Sequence, residues 1–404
     1  MMEALDPLPG RERGSLHFSR SLAWLPTMAV VAVVAVATAV VISFLPQLPQ
    51  PVGPNVSVSP SIDQSPPSSA TRAPSTTPIQ RAGWTSIRVA EPNPYAGIAG
   101  IADGEGMVLA FGRADIHRLG VWRSFDGQTW EAGSIPELPT EFGGALVDVA
   151  VTEDGFVGLA QLGNPEGSEP YNSALYTSPD GSVWKAASAP VEGNWIGTAI
   201  AVVGSRIVVA ASTGDYGEET GVFVSDDNGA SWQRTTDIAA LGGQITDLVA
   251  DGARLVAVGH AGGLGTEQPL LWESTDGGAT WNRTRLGDVG RPSDVVVGPG
   301  KTIVVFGSLP VDAVVWVLEG DGWTARRVAS RCFAGATNTP TGYVAAVLQV
   351  QFPSTSYVVR STDAREWKLE EPGVGVLTGV RWTDDLGLLT STPLDIVLGP
   401  APYP

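Results

Sequence analysis

"STDGGATW", residues Ser274–Trp281, packs a serine, an acid, two glycines and an aromatic into one short stretch. Such a stretch suits an active-site loop or a tight turn. A near copy, "SDDNGASW", stands at Ser225–Trp232. Shorter versions occur at Ser124–Trp130 ("SFDGQTW") and Ser178–Trp184 ("SPDGSVW"), and degraded ones at Glu319–Trp323 ("EGDGW") and Ser361–Trp367 ("STDAREW"). A reaction needs its acid once. An acid that returns along the whole chain is architecture, so Asp126, Asp180, Asp227, Asp276, Asp321 and Asp363 are read as turn residues.

Three kinds of segment recur in fixed order around this motif. The first is a short apolar run: "VLAFG" (108–112), "FVGLA" (156–160), "IVVAA" (207–211), "LVAVG" (255–259), "IVVFG" (303–307), "YVAAV" (343–347) and "LGLLT" (386–390). Continuous apolar runs of this length predict strands buried on both faces. The second is half-alternating and often ends in Ser, as in "GVWRS" (120–124), "GVFVS" (221–225) and "LLWES" (270–274). The third opens with Trp after a tight turn, at Trp130, Trp184, Trp232, Trp281, Trp323 and Trp367. Its seventh member is at the front of the repeats, "GWTSIRV" (83–89), while the chain ends in "LGPAPYP". Successive tryptophans from Trp84 to Trp367 are 42 to 54 residues apart.

A period of this size, with four short strands per unit, predicts a β-propeller. The displaced piece specifies how it closes. The N-terminal strand completes the last blade as its outer edge, which removes an exposed sheet edge. The expected fold is therefore all-β: a seven-bladed propeller over residues 83–404.

The pattern Ser-x-Asp-x-Gly-x-Thr/Ser-Trp resembles the Asp box, or bacterial neuraminidase repeat, from Gly83 to the C-terminus. In such a turn the Asp carboxylate accepts bonds from backbone N–H groups and Gly takes the positive-φ position. Sialidases share the repeat and a propeller. That resemblance implies three arginines around a substrate carboxylate, a Tyr nucleophile paired with a Glu, and an Asp acid/base. The chain departs from it: where an Arg-Ile-Pro element is expected, "SIRVAEPNP" offers Arg88 followed by Val89 and no adjacent Pro. The repeat also resembles the seven-bladed photosystem II assembly factors, which bind a partner protein and catalyse nothing.

The rest of the chain sets the context. Its formal net charge is -18, and an acidic chain repels phosphate backbones, so nucleic acid is not an expected partner. The scarcity of Lys beside abundant Ala, Val, Gly and Arg suits a bacterial source. The one cysteine, Cys332, forms no intramolecular disulfide, and the histidines at 17, 117 and 260 lack zinc-type spacing. No cofactor or metal is expected. Glu166, Glu169, Asp215, Glu218 and Glu219 are acidic loop residues without regular calcium-ligand spacing.

Residues 28–45, "MAVVAVVAVATAVVISFL", form an uncharged apolar run that "LAWLPT" extends to membrane-spanning length. Arg11, Arg13 and Arg20 precede it and no Lys or Arg follows until Arg72. The positive-inside rule then gives a cytoplasmic tail (1–21), a single-pass membrane helix (22–45) and an extracytoplasmic remainder. A cleaved signal peptide is the competing reading, but it would have a shorter apolar region and a small-residue site. Residues 46–82, rich in Pro, Ser and Thr, are read as a linker that extends up to about 100 Å at ~3.1 Å per residue.

The expected function is a membrane-anchored module that binds a protein or glycan at the cell surface without catalysis. The alternative is a sialidase-like glycoside hydrolase. The binding face should be the loops opposite the Asp-bearing turns, with Tyr171, Trp195, Tyr216 and His260 as candidate ligand contacts.

Overall fold

The computed structural model describes residues 79–81, 84–164, 170–190, 195–213, 219–235, 243–262, 266–309, 312–329, 332–348 and 356–399. The expected membrane helix and nearly all of the linker lie outside these residues. Among the described residues no helix is long and apolar enough to cross a membrane.

The described residues form seven antiparallel sheets, six of four strands and one of five. Blade 1 runs Gly97–Gly104, Met107–Asp115, Arg118–Ser124 and Glu131–Ala132 from the inside outwards, and each later blade repeats that order. The innermost strands of successive blades are mutual neighbours, and that of blade 7, Gly379–Thr383, lies beside that of blade 1, so the ring is closed. The apolar runs are the second strands, the Ser-ending runs the third, and the Trp segments lead into or form the outer strands.

The innermost strands were not among the three kinds of segment read from the sequence. "GGALVDVAVT" (Gly143–Thr152) and "CFAGATNT" (Cys332–Thr339) carry small and polar residues because one side of them faces a central channel. In blades 1 to 6 this strand also has a β-bulge, for example between Leu146 and Asp148 and between Ile245 and Asp247. A bulge shifts the alternation by one residue, which hides the two-residue period.

Closure uses both ends of the chain. Trp84–Arg88 pairs antiparallel with Asp395–Leu398, with Thr85 opposite Leu398 and Ile87 opposite Ile396. Arg88 Nε donates to Asp395 Oδ1 at 2.5 Å across this pair. Ile79–Arg81 adds a fifth strand outside Trp84–Arg88.

Apolar burial is distributed around the ring. Each of seven clusters straddles two neighbouring blades. The closing junction is one of them: Ile98, Val108, Ala110 and Trp122 of blade 1 meet Leu389 and Ile396 of blade 7. Stability therefore comes from contacts between blades as much as from pairing within them. Glycines in the blade connections permit this closeness. Gly290 has φ +146, and a Cβ there would meet the ring of buried Trp316.

Candidate functional site

The acids of the repeated motif act on their own turns. Asp276 Oδ1 accepts the Thr280 N–H at 2.9 Å and Oδ2 the Thr280 hydroxyl at 2.6 Å. Ser274 Oγ donates to Asp276 and accepts the Gly278 N–H at 2.8 Å. Ser225 and Asp227 repeat the arrangement with Gly229 and Ser231, and Ser124 and Asp126 with Gly127 and Thr129. Asp180 accepts from Ser182, and Asp363 from the N–H groups of Arg365 and Glu366. Asp321 takes no part in such a network, because blade 5 turns through Gly320 and Asp321 alone between paired Glu319 and Gly322.

These bonds favour the charged carboxylate. The Thr280 hydroxyl first, then its N–H, holds Asp276 down to about 2. Asp227 falls to about 2 chiefly through the Ser231 hydroxyl, and Asp126 to about 2 chiefly through the Thr129 N–H. Each stays ionised at any physiological pH, so none is a proton donor.

The tryptophan that follows closes the turn. Trp184 Nε1 donates to Gly181 O at 3.0 Å and Trp281 Nε1 to Gly278 O at 2.9 Å. In the degraded copy, Ala364 takes the glycine's place at φ +58 and accepts from Trp367.

The concave feature of the ring is its central channel of about 700 Å³, lined by all seven innermost strands. At the end opposite the Asp-bearing turns its wall includes Gln161, Gln244, Arg291 and Ser308. Gln161 Nε2 donates to Gly197 O at 2.8 Å. Towards the other end, Arg381 of blade 7 is bonded to Asp103 of blade 1. The two channel arginines thus belong to opposite ends and do not surround one point. Arg88, which stands where a sialidase motif would begin, belongs to the outer part of blade 7.

Three further acids line the wall: Asp148, Asp247 and Asp294. Each bridges two neighbouring blades. Asp148 Oδ2 accepts the N–H of Ile200 at 2.9 Å, Asp247 Oδ2 that of Val295 at 2.7 Å, and Asp294 Oδ2 that of Ala336 at 2.8 Å. The other oxygens of Asp148 and Asp247 accept the next N–H of their own strands. The three residues are part-buried on the channel wall. Desolvation there pushes Asp148 up to about 7, and raises Asp247 and Asp294 as well. Sequence reading passed over these three, since a single Asp in an apolar strand carries no local signal that it faces a channel.

The candidate ligand residues fall differently from expectation. Trp195 opens the strand Trp195–Val203 and is 1% exposed, packed at the junction of blades 2 and 3. His260 lies in the strand Arg254–Ala261 and is 2% exposed. Burial, then the charge of Arg291, lowers it to about 4, with Glu267 acting in the opposite sense, so it is neutral. Neither belongs to an exposed loop: Trp195 is covered by a neighbouring blade, and His260 is buried within its strand. Tyr171 is the second residue of the strand Pro170–Ser178, but its side chain and all of Tyr216 lie outside the described residues. So do Glu166, Glu169, Asp215 and Glu218. Among the described residues no group of three or more His, Cys, Asp or Glu is placed to hold a metal ion.

Among the described residues, the face opposite the Asp-bearing turns carries an exposed aromatic. Tyr95, in the connection from blade 7 to blade 1, is 41% exposed. The Arg113 guanidinium lies 5.9 Å from its ring centre, and Arg113 Nε donates to Tyr95 O at 2.6 Å.

No protein-family model matches the chain. No curated protein matches it either. Solved structures do resemble it. YCF48 from Cyanidioschyzon merolae is 13% identical over 79% of this chain and 98% of that one, with a TM-score of 0.52. A protein of unknown function from Dyadobacter fermentans is 15% identical over 79% and 100%, with a TM-score of 0.47. A structure of YCF48 bound to D1 peptide is 13% identical over 78% and 80%, with a TM-score of 0.41. At such identities the likeness is one of fold, and the chain shares with YCF48 a propeller of seven blades.

Proposed function

We propose that this chain is a non-enzymatic recognition module, held at the outer face of a membrane by residues 22–45, whose propeller binds a protein or glycan on the face opposite the Asp-bearing turns. On this reading the turns are Asp boxes in the neuraminidase-repeat sense, and they serve folding. The observation that carries it is the commitment of the channel acids. Asp148 and Asp247 are each bonded to backbone amides of two blades, and Asp294 to an amide of the next blade. A group so held positions strands. Meanwhile the channel mouth offers Gln161, Gln244, Arg291 and Ser308, with the Tyr95–Arg113 pair on the same face. Amide, hydroxyl and aromatic groups around a concave opening suit an inserted side chain or sugar.

A photo-cross-linking residue placed at position 95 tests this in cells making the full chain. The same residue at Phe125, 62% exposed among the turns of the opposite face, is the comparison. Adducts from position 95 and not from 125 are expected. Adducts from 125 alone, or from neither, contradict the assignment of the binding face.

The glycoside-hydrolase reading has one observation in its favour, the elevated proton affinity of Asp148. It requires turnover of fluorogenic sialosides or hexosides that is lost in Asp148→Asn. Activity of that kind would replace the recognition reading.

A further inference from the structure

His260 stands at the mouth end of the second strand of blade 4. The pairing of Arg254–Ala261 with the next strand is unbroken, so the side chains of Val256, Val258 and His260 share one face. Val256 and Val258 belong to one apolar cluster with Val295, Val305, Val314 and Trp316 of blade 5. His260 is thus turned towards the junction of blades 4 and 5. Its ladder partners are Pro269 and Gln244, and Gln244 lines the channel. Three bonds close the junction at this end. The Leu286 N–H donates to Pro269 O at 2.9 Å, the Gly290 N–H to Glu267 O at 2.9 Å, and the Thr246 hydroxyl to Pro292 O of blade 5 at 3.0 Å.

The imidazole is 2% exposed and its Nδ1 has no hydrogen-bond partner. Protonation turns that nitrogen into a charged donor with no acceptor, in a place closed to water. Among the described residues, the charges that act on the ring are Arg291 of blade 5 and the buried Glu267, which attract each other. One positive and one negative charge balance; a second positive charge does not. Other charged groups on the adjoining elements are engaged. Asp288 pairs with Arg285 at 3.1 Å and Asp312 with Arg327 at 2.8 Å, while Asp247 and Asp294 accept the amides of Val295 and Ala336.

We propose that His260 is an acid trigger at the mouth of the channel: its protonation opens the junction of blades 4 and 5 at that end and displaces Gln244 and Arg291. Opening gives the imidazolium water and distance from Arg291. Burial first, then Arg291, holds the closed-state value down to about 4, against 6.5 for the free side chain. The closed junction therefore keeps its full stability above about pH 6.5 and loses it as pH falls towards 4. On the reading that this mouth binds a partner, acidification releases it.

Amide exchange at Leu286 and Gly290 of the full chain, corrected for the intrinsic effect of pH, follows the opening without a ligand and so apart from the recognition reading. Protection should be level above about pH 6.5 and fall by up to about tenfold per pH unit from there towards 4. His260→Gln, which takes up no proton, should abolish that fall. The second measurement is an NMR titration of the His260 ring in a chain carrying His17→Gln and His117→Gln, where it is the single histidine. The ring should titrate well below 6.5. A ring that titrates at 6.5 or above in the folded chain overturns the proposal, even if His260→Gln fails to fold. So does protection that is unaffected by acid, or that falls equally in His260→Gln.

Discussion

Replacing Trp184 with alanine measures how much the repeated motif contributes to the fold. Trp184 is 2% exposed at the junction of blades 1 and 2, 6.5 Å from the ring of Phe156 and in contact range of the space above Gly158. A buried tryptophan removes about 150–250 Å² from water, or about 4–6 kcal/mol at ~25 cal/mol per Å². Its Nε1 bond to Gly181 contributes about 1 kcal/mol more. Aromatic-to-alanine changes in packed interiors cost about 3–5 kcal/mol, so about 4 kcal/mol is expected here. Trp232 is half-buried at the corresponding position, with its Nε1 reaching Ser188 O of the neighbouring blade. Trp232→Ala should cost about half as much. Leu369→Ala, on the exposed outer strand Lys368–Glu370, should stay within about 0.5 kcal/mol. Urea unfolding followed by circular dichroism reads all three. A Trp184→Ala midpoint no lower than that of Leu369→Ala would refute the view that these aromatics weld blade to blade.

Other expectations follow from the same geometry. Asp126, Asp227 and Asp276 have native values near 2 against 3.8 for the free side chain. Their contribution is complete above about pH 4 and disappears as pH falls towards 2, so acid titration of the unfolding midpoint should show a loss there. Asp148 behaves in the opposite sense. Its native value near 7 means that its contribution is complete below about pH 4 and is lost as pH rises towards 7. Asp148→Asn should lessen the decline in midpoint between pH 4 and 7; an unaltered decline would assign it elsewhere. Gly155 lies at φ +121 with the Ser178 carbonyl against the position a Cβ would take. Gly155→Ala should cost more than 1 kcal/mol by the same unfolding assay, whereas Gly204→Ala, at φ +58 in open space, should cost less.

The parts of this fold that were legible in the sequence are those with local causes. Ser274, Asp276, Gly278 and Trp281 satisfy one another within a single turn, so the motif survives as a readable string. The second strands are buried on both faces and therefore appear as plain apolar runs. What escaped has distant causes. The innermost strands face the channel on one side and contain a bulge, so "QITDLVAD" (Gln244–Asp251) shows no clean alternation. Trp195 and His260 lie among Gly- and Pro-rich segments that resemble exposed loops, yet both are buried, Trp195 by the adjoining blade. Asp321 looked like a motif acid, yet without a Ser partner its hairpin shortens to a two-residue turn. The role of Asp247 depends on Val295 of another blade, a relation no short window contains.

The closed ring rests on the pairing of Trp84–Arg88 with Asp395–Leu398. Thr85 and Leu398 are direct partners in that ladder, at a spacing a disulfide can bridge. The variant Thr85→Cys with Leu398→Cys, made in a Cys332→Ser background, should oxidise to a bond that joins the N-terminal and C-terminal peptides in a non-reduced digest. Two free thiols under the same oxidising conditions, with the chain folded, would mean that the ends do not meet and that the seventh blade is not built from both.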